Sequence, residues 1–308
     1  MPATASPDFA RRAAEADDRA AAWCLERGLL PDRETEECFR LARFGALAAH
    51  TCPSADDAAL AVLGTWLGWF FLLDDHLDGH LDSQAPEDGA GLLTAIGDAL
   101  RTGRTDHGSP FVAAFLDLWS APGPGSGPAE PFRPRFARHL DEYLAALVRE
   151  NAERRSGRPP GEAEYIALRR ITGAIRESLD GADHLAGCSL PDELYDHPWH
   201  QSLLDAASDV INWTNDLASW RKELDGGEVH NLVLVVARTR GLDHRAAEAE
   251  VARRIAVRAE EFEALAAVPP DPRLARRAVA LRDWMTGFRA WLAETARYLT
   301  DPQQPALS

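Results

Sequence analysis

The sequence lacks the features that would indicate several other protein classes. Four cysteines form no CxxC pair and no metal-ligand spacing, so reduced thiols are expected instead of a disulfide framework. They lie at Cys24, Cys38, Cys52 and Cys188. The longest wholly apolar run, residues 66–73, is too short to span a bilayer. Residues 1–18 contain no apolar signal core. These absences predict a cytoplasmic protein without a membrane segment.

Positive charge is also scarce. The chain has 33 Lys and Arg against 49 Asp and Glu, which gives a net charge of -16 and a pI near 5.0. This balance argues against a nucleic-acid partner and against a basic membrane-binding surface. Any anionic substrate must therefore be held locally, by metal ions and a few placed cations.

The 308 residues include 45% hydrophobic residues and nine tryptophans, enough for a large core. Helical periodicity dominates, and alternating strand patterns are nearly absent. The fold class predicted is all-α, with one domain over residues 1–308. Helices are predicted over residues 7–27, 33–49, 55–78, 89–101, 132–155, 162–179, 199–224, 230–240, 244–267 and 272–299.

An aromatic stripe runs into carboxylates in the third of these predicted helices. Side chains four apart share one helical face, so Trp66, Phe70, Asp74 and Asp78 form a line about 18 Å long. Such a face suits an amphipathic ligand whose anionic head is held through divalent cations. A core helix whose end emerges into solvent explains the same residues, and both interpretations remain open.

A second polar line lies in the helix predicted over residues 199–224. Asn215, Ser219 and Glu223 are spaced by four, so an amide oxygen, a hydroxyl and a carboxylate follow one face. Three oxygen donors in a line can ligate one Mg²⁺. An ordinary polar helix face is the alternative.

Together these residues resemble the bacterial class I terpene synthases. The first cluster is similar to that family's aspartate-rich motif, and the second to its NSE motif. The family's diphosphate-sensing arginine lies 46 positions before the NSE asparagine, where this chain has Arg169. Segment 230–233 and the pair Arg297 and Tyr298 also resemble the family. Departures include Gly226 in place of a basic residue and Phe288 in place of a polar one.

The resemblance implies an antiparallel helical bundle around a central cavity, with the two motif helices facing each other at its mouth. It implies three Mg²⁺ ions, with Mn²⁺ as a substitute. Asp74 and Asp78 would bind two ions, and Asn215, Ser219 and Glu223 would bind the third. Asp75 points about 100° away from Asp74, so it would hold a basic partner instead of an ion.

The resemblance also suggests which residues would bind substrate. The expected diphosphate ligands are Arg169, Lys222, Arg297 and Tyr298, and a slip of one residue would replace Arg169 by Arg170. Aromatic faces can stabilise a carbocation at about 0.5 to 2 kcal/mol each. The pocket candidates are Trp66, Phe70, Phe71, Gly173, Trp284 and Trp291. Core packing is the alternative for each aromatic residue.

The resemblance therefore predicts a lyase that ionises a linear prenyl diphosphate and cyclises the carbocation. Farnesyl diphosphate is the favoured substrate and geranylgeranyl diphosphate the second, for a monomer or a homodimer. One alternative is a chain-elongating prenyl diphosphate synthase, which would carry a second DDxxD where this chain has Asn215 to Ser219. The other is a non-catalytic helical binding protein on the same fold.

Overall fold

The computed structural model describes residues 6–79, 87–120, 132–185 and 189–298, and all regular structure in these ranges is helical. The α-helical prediction is confirmed. The described ranges contain fourteen helices: α1 (Pro7–Glu26), α2 (Arg33–Ala42), α3 (Phe44–Thr51), α4 (Asp57–Gly79), α5 (Glu87–Thr102), α6 (Pro110–Ser120), α7 (Phe132–Ser156), α8 (Glu162–Thr172), α9 (Ile175–Leu185), α10 (Asp192–Tyr195), α11 (Pro198–Asp225), α12 (Leu232–Arg240), α13 (His244–Ala266) and α14 (Pro272–Leu292).

Contacts divide the chain into two compact units. Unit 1 comprises Met1–Val148 and Arg176–Ser189, and unit 2 comprises Arg149–Ile175 and Leu190–Ser308. The chain passes from one unit to the other three times, inside α7, at the start of α9 and between Ser189 and Leu190. One domain over residues 1–308 stays a prediction.

Two helices replace the one predicted over residues 33–49, because Arg43 adopts the left-handed conformation with φ 57°. The backbone amides of Gly45 and Ala46 donate to the Asp17 carboxylate of α1 at 2.6 and 3.1 Å. Burial raises the pKa of Asp17 to about 6, against the opposing effect of these amides and Arg43. A distant side chain therefore caps a helix start that carries no local capping signal.

The helix that carries the aromatic stripe, α4, is a core helix of unit 1. Asp56 accepts from the Ala59 amide at 2.8 Å and so caps its start. Only the wholly apolar run 66–73 was considered in the sequence analysis. The longer stretch Asp57–Leu77 has the length and composition of a helix that could cross a membrane. However, 67% of an apolar 18-residue segment within this stretch is buried inside the protein, as in the core helix of a globular protein. Trp69 is fully buried and donates its indole N–H to the Phe111 carbonyl at 3.2 Å.

Unit 2 is built around α11, the longest of the described helices at 28 residues. Pro198 occupies its first turn, and His197 caps it by accepting from the Trp199 amide at 3.1 Å. Helices α8, α10, α12, α13 and α14 all contact it. Because α11 carries the second polar line, five neighbouring helices can supply partners for that line.

The helix predicted over residues 162–179 is interrupted. Helix α8 ends at Thr172, Ala174 is left-handed with φ 52°, and α9 begins at Ile175. A left-handed alanine costs about 1–2 kcal/mol, so tertiary contacts must favour the break. We refer to residues 172–175 as the α8–α9 break.

Other boundaries also differ from prediction. Helix α6 was not predicted, although Pro110 in its first turn and Ser109, which accepts from the Phe111 amide at 3.2 Å, form a helix start. The short helix α10 was missed as well. The last helix ends at Leu292 instead of residue 299, and α12 begins at Leu232 instead of residue 230.

Candidate active site

The predicted oxygen-donor line of α11 forms one face of that helix in the structure. Ser219 is 1% exposed, while Asn215 and Glu223 are half-buried. The Ser219 hydroxyl donates to the Asn215 main-chain carbonyl at 3.0 Å, the usual back-bond of a helical serine. The same oxygen accepts from Asn231 Nδ2 at 3.4 Å, which leaves one of its two lone pairs for a cation.

The carboxylate next to Asn215 on α11, that of Asp216, is buried at 1% exposure. It accepts from the Tyr165 hydroxyl at 2.6 Å, from Arg169 Nε at 3.1 Å and from the Leu232 amide at 3.0 Å. Burial is the largest influence on the pKa of Asp216 and raises it, while Arg169 and Tyr165 oppose that effect. The three donors come from α8 and from the start of α12.

Arg169 connects this carboxylate to the predicted metal ligands. Its Nη2 donates to Asn215 Oδ1 at 2.9 Å, and Asn215 Nδ2 donates to the Tyr298 hydroxyl at 2.7 Å. Burial opposes the charge of Arg169, but the carboxylates of Asp216 and Glu223 more than offset it and raise its pKa. Three predicted site residues are thus brought together from positions 169, 215 and 298.

Arg170, the alternative to Arg169, faces other partners. Its Nε and Nη2 contact the two Asp209 oxygens at 2.6 and 2.7 Å, and its Nη1 contacts Asp205 at 3.2 Å. Asp209 is 1% exposed and also pairs with Arg258 at 2.8 Å. Arg170 is therefore engaged in a bidentate structural ion pair.

Burial raises the pKa of Glu223 to about 7, with the Asp216 charge acting in the same direction. The neighbouring Ser219 hydroxyl and the Asn231 amide lower the pKa of Glu223 and only partly oppose this effect. A divalent cation beside Glu223 would favour the ionised carboxylate. Among the described residues no group of three His, Cys, Asp or Glu side chains could hold a metal ion. The mixed amide, hydroxyl and carboxylate oxygens of α11 nevertheless fit Mg²⁺.

Asn231, which lies within segment 230–233, supports this line from the start of α12. It has no exposed surface, and its Nδ2 donates to Glu223 Oε2 and to the Asp216 carbonyl, both at 2.8 Å. Its Oδ1 accepts from the Val233 amide at 2.8 Å and so caps α12. One amide therefore orients a predicted metal ligand and starts a helix.

The remaining predicted diphosphate ligands lie at the ends of helices α11 and α14. Lys222, the only lysine in the chain, is exposed near the end of α11. Arg297 is half-buried after α14, with its guanidinium 5.7 Å from the Tyr298 ring centroid. Burial raises the pKa of Tyr298. The diphosphate contacts of these residues remain predictions.

The aspartate cluster of unit 1 lies at the end of α4. Asp74 is half-buried and Asp75 is exposed, as expected for neighbours on different faces. His76 packs against Phe111 with ring centroids 4.7 Å apart. The Asp78 side chain lies outside the described residues. The metal roles of Asp74 and Asp78, and the basic partner of Asp75, stay predictions.

The aromatic candidates on α4 pack against one another and against neighbouring rings. The half-buried Trp66 lies 5.9 Å from Phe70 and 5.4 Å from Phe136, measured between centroids. Phe70 meets Tyr143 edge-on at 5.6 Å. Phe71 stacks on Phe44 at 4.9 Å.

The pocket candidates of unit 2 are also mostly buried. Trp284 is 3% exposed and Trp291 has no exposed surface. Trp291 packs against Phe288 and against the Tyr298 ring, with centroids 5.4 and 6.1 Å apart. Gly173 lies at the α8–α9 break. A cavity-lining role for these residues, as for those of α4, stays a prediction.

Comparison with known proteins decides the family. Residues 65–261 match the family model described as terpene synthase family 2, C-terminal metal binding. The chain belongs to this terpene synthase family. The matched segment contains the aspartate cluster of α4, Arg169 and the donor line of α11.

Curated relatives and solved structures agree with this assignment. The (-)-delta-cadinene synthase of Streptomyces clavuligerus is 35% identical over 93% of this chain and 90% of the relative. A pentalenene synthase of Streptomyces avermitilis is 31% identical over 88% of this chain and 79% of the relative. The crystal structure of linalool/nerolidol synthase from Streptomyces clavuligerus matches with a TM-score of 0.81 and 26% identity, over 93% and 96% of the two chains.

This terpene synthase is therefore an enzyme with the all-α class I fold, a lyase that acts on prenyl diphosphates and uses a divalent metal. The sequence resemblance is confirmed at the level of family, fold and reaction class. Tyr165, Asp216 and Asn231 are buried partners to which the sequence analysis assigned no role. Asp216 lies between Asn215 and Ser219, and Asn231 lies within segment 230–233.

Asn231→Ser separates the two roles of Asn231. Serine keeps an oxygen that can cap α12, but it cannot reach Glu223 with an amide donor. We expect Mn²⁺ affinity, measured by electron paramagnetic resonance with inorganic diphosphate present, to fall by about tenfold or more. Asp243→Ser is the matched control, since Asp243 caps α13 by accepting from the Ala246 amide at 2.8 Å. Equal Mn²⁺ affinity in the two variants would contradict the role of Asn231.

Proposed function

We propose that this terpene synthase uses Mg²⁺ to ionise a linear prenyl diphosphate and cyclises the resulting carbocation to a hydrocarbon or an alcohol. Farnesyl diphosphate is the favoured substrate, followed by geranylgeranyl diphosphate. The supporting observation is the hydrogen-bonded set in unit 2, where Asn215 contacts both Arg169 and Tyr298. The proposal includes a cytoplasmic enzyme, monomeric or homodimeric, that acts without nucleic acid or a membrane.

We assign metal binding to both motifs. Asn215, Ser219 and Glu223 would hold one ion, and Asp74 and Asp78 would hold two, with Mn²⁺ able to replace Mg²⁺. When bound, the ions neutralise the diphosphate and make it a good leaving group. The mixed oxygen donors of α11 and the raised pKa of Glu223 support the assignment of the ion at α11.

We assign diphosphate binding to the cations around the donor line. Arg169 is charged and already oriented by Asp216, so it can offer a fixed fork of donors to phosphate oxygens. The Tyr298 hydroxyl, Arg297 and Lys222 would add further donors. Holding the anion in this way keeps it oriented as the carbon–oxygen bond breaks.

After ionisation the substrate is a carbocation that needs stabilisation without a nucleophile. We assign that role to Trp66 and Phe70, with Phe71, Trp284 and Trp291 as further candidates, because aromatic faces attract cations. Excluding water from such a wall prevents capture of the cation as an acyclic alcohol.

Product analysis tests the reaction. The purified enzyme is incubated with Mg²⁺ and with the ten-, fifteen- or twenty-carbon diphosphate, and the extracts are analysed by gas chromatography with mass detection. We expect a cyclic product from farnesyl diphosphate. No terpene from any of the three would overturn the proposal. A longer diphosphate formed when isopentenyl diphosphate is added would indicate chain elongation instead.

Asp74→Asn tests the metal role of α4. Loss of one carboxylate charge should lower kcat by about 100-fold or more, because the metal cluster stabilises the leaving group. Circular dichroism and the thermal midpoint should change little, since the side chain is half-buried and similar in size. Asp98→Asn, which alters an exposed carboxylate paired with Arg101 at 2.8 Å, is the control. Unchanged turnover in Asp74→Asn would refute the assignment.

Paired substitutions decide between Arg169 and Arg170. Arg169→Lys removes the planar fork and should raise KM and lower kcat, by about tenfold or more in kcat/KM. Arg170→Lys weakens the pair with Asp209 and should lower the thermal midpoint with little change in kcat/KM. The opposite pattern would assign diphosphate binding to Arg170.

A further inference from the structure

Gly173 and Asn212 fit together at the α8–α9 break. A Cβ added to Gly173 would lie less than 3.0 Å from Oδ1, Cγ and Nδ2 of Asn212. Gly173 has φ -75°, a value that every residue type adopts. Glycine is therefore required at this position because Asn212 leaves no room for a side chain, and not because of the backbone conformation.

Asn212 also holds the main chain of Arg169. Its Nδ2 donates to the Arg169 carbonyl at 3.1 Å, and the Gly173 amide donates to the same oxygen at 3.0 Å. The last carbonyls of a helix lack partners within the helix, so a side chain from a neighbouring element can fix where the helix ends. Asn212 is 3% exposed and has little room to move.

Asn212 lies on α11 three residues before Asn215. The same helix therefore holds Arg169 twice, by its carbonyl through Asn212 and by its guanidinium through Asn215 and Asp216. If Asn212 shifts, the end of α8 can shift along α11 and move the guanidinium away from the donor line. Ala174, which follows in the left-handed conformation, needs such an external constraint.

We propose that Asn212 is a positioning residue for the diphosphate-binding arginine: its close packing on Gly173 and its hydrogen bond to the Arg169 carbonyl fix the α8–α9 break. This inference rests on the proposed function, because it assigns Arg169 to the diphosphate. Asn212 itself contacts no substrate in the proposal. It acts through Arg169.

A double-mutant cycle that enlarges residue 173 and shortens residue 212 tests the contact. Gly173→Ala, Asn212→Ala and the double variant are compared with wild type. Three readouts are used: kcat and KM for the prenyl diphosphate, the Kd of inorganic diphosphate with Mg²⁺ by calorimetry, and the thermal midpoint. Thr214→Ala is the control on α11, since the Thr214 hydroxyl donates only to Val210 of its own helix. Gly91→Ala is the glycine control, since no described atom outside the backbone of its own helix lies within 4 Å of its added Cβ.

The expected pattern is specific. Asn212→Ala should weaken diphosphate binding and raise KM by about tenfold, because Arg169 loses its main-chain anchor. Gly173→Ala should lower kcat/KM by about 100-fold, because the new methyl group displaces Asn212. The double variant should return to within about threefold of Asn212→Ala, since the clash is gone. Both controls should match wild type in kinetics.

Two results would overturn the inference. A double variant no better than Gly173→Ala would mean that the methyl group acts on something other than Asn212. Wild-type diphosphate affinity in Asn212→Ala would mean that the amide does not position Arg169. Failure of the proposed function is a separate result, because a wild-type enzyme without terpene product contradicts that function. The calorimetric and unfolding comparisons test the Asn212 contact whether or not turnover is observed.

Discussion

The buried carboxylate of Asp216 is the constraint on which unit 2 depends. A charge that is 1% exposed is tolerated only when donors surround it. Those donors are the Tyr165 hydroxyl, the Arg169 guanidinium and the amide of Leu232. Because they come from α8 and α12 while Asp216 belongs to α11, satisfying one carboxylate fixes three helices. The site residues on these helices receive their positions from the same interaction.

The donor line of α11 contains a half-buried carboxylate, Glu223, whose charge the protein only partly compensates. Burial and the charge of Asp216 both raise the pKa of Glu223, so this carboxylate is poorly compensated by the protein alone. Asn231 supplies a hydrogen bond, but no full positive charge, at 2.8 Å. A divalent cation would supply that charge, which is why we infer that the helix face is suited to a metal. The ion pair of Arg170 with Asp209, in contrast, is complete within the protein.

Much of the site followed from spacing along the chain. Residues four apart on a helix share a face in any helical fold, so Asn215, Ser219 and Glu223 could be grouped without a structure. The same reasoning grouped Trp66 with Phe70, whose rings lie 5.9 Å apart. Contacts between distant residues could not be derived in this way. The approach of Asn215 to Tyr298, 83 residues later, and of Asn212 to Gly173 depends on how helices pack.

By itself the sequence determined the helical class, the oxygen-donor line and, through its resemblance, the terpene synthase family. These properties depend on local periodicity and on residue types at fixed spacing. Only the tertiary structure decided where helices end. Arg43 and Ala174 are left-handed without being glycine, and Asp17 and Asn212 act on those breaks from distant helices. The tertiary structure also distinguished the surroundings of Arg169 and Arg170. Packing brings Asn215 to Arg169 and Asp209 to Arg170, a difference that the sequence of two adjacent arginines does not contain.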